Sequence, residues 1–147
     1  MTTISSLTTV KQHHVARIDG PADAAPIDVV SITRTISTAL RPVPEGAVLD
    51  PGALAESIAL LSGHIQLLLP LAEAAHHRSR PAGAGPGLVG RGLAYVRSRM
   101  QYDPPNPHDY PACAHVWVQE SARGLQQLLG LVHADPGREH QRAAADR

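Results

Sequence analysis

Leu54, Ile58, Leu61, Ile65, Leu68, Ala72 and Ala75 are separated by steps of 4, 3, 4, 3, 4 and 3 residues. No other feature of the chain limits its fold as much. At 3.6 residues per turn, alternating steps of four and three hold all seven side chains on one stripe of an α-helix. A half-buried strand would instead alternate every second residue. Ala114, Val118, Ser121, Leu125, Leu128 and Val132 repeat the rhythm near the other end of the chain. Two long helices with one apolar stripe each must bury those stripes against each other or against a partner. The spacing predicts an all-α fold, an antiparallel bundle of about four helices with flexible termini.

Composition agrees with helix-on-helix packing. The chain has 147 residues, of which 43% are hydrophobic, with no Phe and a single Trp. That length suits one domain, and its core must be filled by Leu, Ile, Val and Ala rather than by aromatic rings. Thirteen acidic side chains balance thirteen basic ones, so no overall field draws the protein to nucleic acid or anionic membrane. Cys113 is the only cysteine; it excludes an internal disulfide and fits a reducing, cytoplasmic setting. No run approaches the roughly 18 uninterrupted apolar residues of a membrane helix, and residues 1–20 lack the apolar core of a signal peptide. A soluble protein with no membrane association is expected.

Punctuation along the chain divides it. Residues 1–26 show no sustained periodicity and read as a disordered N-terminal arm. A helical bundle domain is expected over 27–134 and a disordered C-terminal tail over 135–147. Asp28 is positioned to cap a first helix carrying Val29, Ile32, Ile36 and Ala39 or Leu40. Its Thr and Ser content makes that helix weak on its own. Asp50-Pro51 is a strong start for a second helix over about 50–77. Pro70 lies inside it, where a missing hydrogen bond predicts a kink near Gln66–Pro70. Leu67, Leu68, Leu69 and Leu71 widen the apolar stripe there, so this section should be the most deeply covered. A third helix over about 87–101 uses Val89, Leu93, Val96 and Met100, and a fourth runs over about 111–134. The segment Tyr102–Pro111 holds four prolines in ten residues and must be an extended loop.

Motifs with chemical meaning are few. Gly85-Pro86-Gly87-Leu88-Val89-Gly90 has the spacing of a dinucleotide-binding turn. That turn needs a preceding buried strand to deliver phosphate to the helix, and His77-Arg78-Ser79-Arg80-Pro81-Ala82 cannot form one. A flexible linker opening a helix is the better reading, with the free N–H groups after Gly87 as a weak anion acceptor. Arg78, Arg80, Arg91, Arg97 and Arg99 form the only sustained charge bias. Arg91, Arg97 and Arg99 fall off the third stripe and are expected to face solvent. There they could contact an anion, a protein partner or, less favourably, nucleic acid; pairing with acids of neighbouring helices is the plainer alternative.

Nine histidines suggest metal binding, but His13-His14 lie in the arm and His76-His77 diverge by about 100° on a helix. No metal-ligand spacing occurs, so no metal and no cofactor are expected. No nucleophile elbow, P-loop or inward pair of carboxylates is present. His64, Gln66 and Trp117 stay as candidate polar groups of an interhelical pocket, each weighed against an ordinary packing role.

Leu61-Ser62-Gly63-His64-Ile65-Gln66-Leu67-Leu68-Leu69-Pro70 resembles the GHIxLLLP core of a small helical family. That family belongs to high-GC, antibiotic-producing actinobacteria, and its members are described as natural-product-biosynthesis proteins of unknown function. The likeness covers about residues 50–132, including the Gly-Pro-Gly turn and the Leu-rich last helix; the proline-rich loop at 103–111 departs from the family pattern. It implies a compact helical protein tied to secondary metabolism and supplies no catalytic residues. The resulting expectation is a non-catalytic accessory or regulatory protein acting by protein–protein contact with a partner or a second copy of itself. The alternatives are anion or nucleic-acid binding through the third helix, and binding of a hydrophobic natural-product intermediate between helices.

Overall fold

The structure is a computed structural model that describes residues 26–135 together with Gly137, Ala143 and Ala144. The expected N-terminal arm, apart from Pro26, lies outside the described residues, as do His13-His14 and most of the expected tail. Four α-helices occur in the order α1 (Val29–Ala39), α2 (Pro51–Ser79), α3 (Gly87–Arg99) and α4 (Pro111–His133). No strand occurs among the described residues.

Local chemistry sets the helix ends. The Asp28 carboxylate accepts from the Ser31 amide at 2.9 Å, and the Asp50 carboxylate accepts from the Gly52 amide at 2.9 Å. Each satisfies one of the donors that a helix start leaves unpaired. Pro51 and Pro111 occupy first-turn positions, where a missing N–H costs nothing. α1 ends at Ala39, before Pro42 and Pro44.

Both long stripes are buried along their full length. Leu61, Leu68, Ala72, Ala114, Ala122 and Leu125 are wholly inaccessible, and α2 against α4 is the most extensive helix–helix interface. Each fully buried Leu or Ile contributes about 1.5–3 kcal/mol by leaving water. α3 runs back along α2 and α4 runs back along α3, so α2 and α4 are parallel to one another. The pairings that show this are Gly90 beside His76 on the one side and Val96 beside Gly124 on the other. α1 packs on both α2 and α4 through Ile32, Ile36 and Ala39, which is the packing that so weak a helix needs. Thr35 is buried with them and ties α1 to α2, its Oγ1 lying 3.2 Å from His64 Nε2. Because that hydroxyl already donates to the Ser31 carbonyl at 3.0 Å, the imidazole must be the donor in the second bond.

α2 is a single helix that contains Pro70, with Gln66 and Pro70 on the solvent side, where water can satisfy the carbonyl that loses its partner. Two expectations change. The leucine-rich section is not covered all round. Leu68 and Leu69 are buried and Leu71 half-buried, but Leu67 is 53% exposed, as is Leu60 two turns earlier at 46%. Among the described residues, no element packs over that face of α2. Finally, α2 contains no uninterrupted apolar run of membrane length, yet its most apolar 18 residues average a hydropathy of 1.4. By length and composition it could cross a membrane, with 39% of that window buried in the fold.

The packed domain extends one residue past its expected end. Asp135 is 4% exposed and ion-pairs with Arg78 at the end of α2, and its carboxylate also accepts from the Gly137 amide at 3.1 Å. The chain turns after α4 and folds this acid beneath the guanidinium.

Candidate functional site

α3 is held at an angle that leaves space beside it. Its start uses two glycines for separate reasons. Gly87 takes φ +64°, which L side chains rarely adopt. A Cβ on Gly90 would stand 2.8 Å from Pro86 Cβ and 3.1 Å from His76 Nε2. That nitrogen is buried without a hydrogen-bond partner among the described residues. The Gly-x-Gly-x-x-Gly pattern thus serves a turn and a close helix approach, with no strand before it. Resting on α2 through Gly90 rotates the neighbouring Val89 outward by about 100°. Val89 is accordingly 44% exposed instead of joining the core with Leu93 and Val96, and Leu88 is 81% exposed.

α3 and α4 make the lightest of the substantial helix–helix interfaces. Where they cross, a glycine on each helix faces a larger side chain of the other: a Cβ on Gly124 would lie 3.3 Å from Val96 Cγ2, and one on Gly92 3.8 Å from Gln127 Oε1. On one side of the crossing the helices enclose an apolar groove of about 400 Å³ walled by Leu88, Val89, Leu93, Leu128 and Leu131. On the other side they enclose a mixed groove of about 470 Å³, within the range of small-molecule sites.

The mixed groove has a clear polarity. Its floor is Ile65, Val96, Met100 and Ser121; one rim, from α3, carries Arg91, Tyr95 and Arg99; the other, from α4, carries Glu120, Arg123 and Gln127. Arg99 and Glu120 join across one end at 3.0 Å. Arg99 Cζ also lies 5.8 Å from the centre of the Tyr95 ring and 5.6 Å from that of Trp117, so the guanidinium is held between two aromatic faces. Arg91 and Arg123 make no ion pair or hydrogen bond among the described residues. Ser121 is 6% exposed, and its hydroxyl, which borders the groove, likewise has no partner there.

The three arginines expected to share a solvent face are separated. Arg97 turns to α2 and grips Glu73 at 2.6 and 2.7 Å from one guanidinium nitrogen. Two residues of helix rotate Arg99 about 160° away from it, into the groove, where its side chain is only 18% exposed. Arg91 and Arg97 are exposed as expected, and the plainer alternative, pairing with acids of neighbouring helices, holds for Arg97 and Arg99 while Arg91 has no such partner among the described residues. The proposed pocket groups do not assemble either. His64 is engaged with Thr35, Gln66 is exposed on the open face of α2, and Trp117 lies beyond the Arg99 end of the groove. Arg123, Tyr95, Ser121 and Gln127 are the groove residues that sequence patterning did not single out. Glu120, Arg123 and Gln127 do form a polar strip at helical spacing on α4, but nothing in that strip indicates which helix it faces.

Among the described residues, no three His, Cys, Asp or Glu side chains gather where they could hold a metal ion. The Arg99 stack gives a direct test of the groove's rigidity. Arg99→Lys keeps the charge but loses the flat stacking surface, and should lower stability by about 0.5–1.5 kcal/mol. Because Trp117 is the only tryptophan, its emission should shift to the red in that variant; an unchanged spectrum and melting curve would show that the stack does not hold the groove. Comparison with known proteins finds no family model, curated protein or solved structure that this chain matches.

Proposed function

We propose that this chain is a non-catalytic accessory protein that works by binding, with the mixed groove between α3 and α4 as its binding face. The observation that carries this reading is an open groove of about 470 Å³ with an apolar floor, a pre-positioned Arg99 and the Ser121 side chain in its lining. Apolar surface buried by a ligand on that floor supplies the driving force, and a few polar groups beside it fix the orientation. The likeness of residues 61–70 to a natural-product-biosynthesis family favours a small, largely apolar ligand of secondary metabolism.

The test uses N-phenyl-1-naphthylamine, a neutral two-ring probe that fluoresces in apolar surroundings. Wild-type protein should bind it. Ser121→Leu, which fills this groove alone, should weaken binding about tenfold or more. Gly130→Leu, which fills only the neighbouring apolar groove and places a better helix former on α4, should leave it unchanged. No binding, or loss in Gly130→Leu alone, would end the reading.

A second reading, contact with a protein partner or a second copy, draws on the uncovered Leu60 and Leu67 face of α2. A strict monomer by sedimentation at micromolar concentration would exclude the homodimer.

A further inference from the structure

From the charges on the rims of the mixed groove we infer that its ligand is a small amphipathic organic acid. Its anionic group sits between Arg91 and Arg123, and its apolar body lies along the floor toward Met100. This rests on the groove being the binding face and goes further, naming the chemistry of what enters it.

The polarity follows from which charges are already satisfied. Three arginines line the groove against a single glutamate. Glu120 is committed to Arg99 at one end, which neutralises that end and leaves Tyr95 beside it in the lining. Arg91 on α3 and Arg123 on α4 stand on opposite rims of the remaining, open part. Neither has a counter-charge among the described residues. Both line the same groove, an anion entering it gains from each positive charge, and guanidinium forks match the planar oxygens of a carboxylate or the tripod of a sulfonate. The unpaired Ser121 hydroxyl in the floor offers a further hydrogen bond to the ligand. Ile65, Val96 and Met100 accept only carbon.

The same accounting argues against a nucleic-acid backbone as the anion. A strand needs a row of free cations, whereas Arg97 is neutralised by Glu73 and Arg99 by Glu120. Among the described residues of α3 and the groove, only Arg91 and Arg123 are left, enough for one head group.

A matched pair of probes isolates the anion. 1-Anilinonaphthalene-8-sulfonate has the same two-ring body as N-phenyl-1-naphthylamine plus one sulfonate. On the full chain at low salt the sulfonate should bind about tenfold more tightly than the neutral probe, equivalent to about 1.4 kcal/mol, and the difference should shrink toward parity in 1 M salt. The double variant Arg91→Gln/Arg123→Gln changes two exposed side chains, so it should fold normally and bind both probes equally. Arg34→Gln/Arg41→Gln removes the same charge from exposed positions outside the groove and should keep the full preference.

Equal affinity of the wild type for the two probes would overturn the ligand class while leaving the groove as binding face. Loss of both probes would overturn both readings. An equal fall in the Arg34/Arg41 variant would show that overall charge, not the groove, selects the anion. Displacement of the bound sulfonate by duplex DNA at stoichiometric concentration would replace the small acid by a polyanion.

Discussion

Leu61→Ala is expected to lower the stability of the fold by about 3–5 kcal/mol, whereas Leu60→Ala, one residue away, should cost under about 1 kcal/mol. The two leucines differ only in helix phase. Leu61 is wholly buried on the α2 stripe in the core cluster, and Leu60 is 46% exposed on the bare face of the same helix. Truncating Leu61 forfeits the transfer free energy of its carbons and leaves a cavity that rigid neighbours cannot close. Against a total stability of about 5–15 kcal/mol for a domain, the loss should move the urea midpoint far enough to leave Leu61→Ala partly unfolded near room temperature. Equal midpoints for the two variants would mean that α2 does not seal against α4 along this stripe.

Ala122→Leu should destabilise by about 2–3 kcal/mol for the opposite reason, too much volume instead of too little. Ala122, Ala114 and Ala72 are wholly inaccessible in the two long helices. Small side chains at such positions let neighbouring axes approach toward the short end of the 8–10 Å range. A leucine at 122 adds three carbons that can be housed only by moving the axes apart or by forcing side chains off their rotamers. A thermal melt reads this as a fall of about 6–15 °C at roughly 3–5 °C per kcal/mol for a domain of this size. Ala74→Leu, placed on the exposed side of α2, should stay within about 0.5 kcal/mol of wild type. A melting point for Ala122→Leu as high as that of Ala74→Leu would show that the long helices pack loosely there.

Much of the helical layout is legible because it rests on local rules. Asp28, Asp50-Pro51 and Pro111 mark three helix starts through capping and proline geometry. The 4-3 spacing identifies every residue of the α2 and α4 stripes, all of them buried. Periodicity fails at Val89 and Leu67. Each has the right phase or neighbourhood for burial, but no element of the described residues lies over it. α3 leans on α2 through Gly90 and carries Val89 outward, and Leu67 is 53% exposed.

The groove was far less legible. Ser121 reads from spacing as one more member of the α4 stripe, and it is buried as that implies. Its unpaired hydroxyl matters only because α3 stands away from α4 at that point. Arg97 and Arg99 look equivalent on a list of charges, yet one meets Glu73 on α2 and the other is drawn between Tyr95 and Trp117.

Helix positions, their buried stripes and the absence of strands among the described residues can be read directly from residue order, because a helix repeats every 3.6 residues and its ends are capped by near neighbours. The partner of each exposed charge, the exposed side of α2 and the groove itself arise only from how α3 settles across α2 and α4. Those relations join residues 18 to 57 positions apart, and they follow from packing volume, which no local pattern encodes.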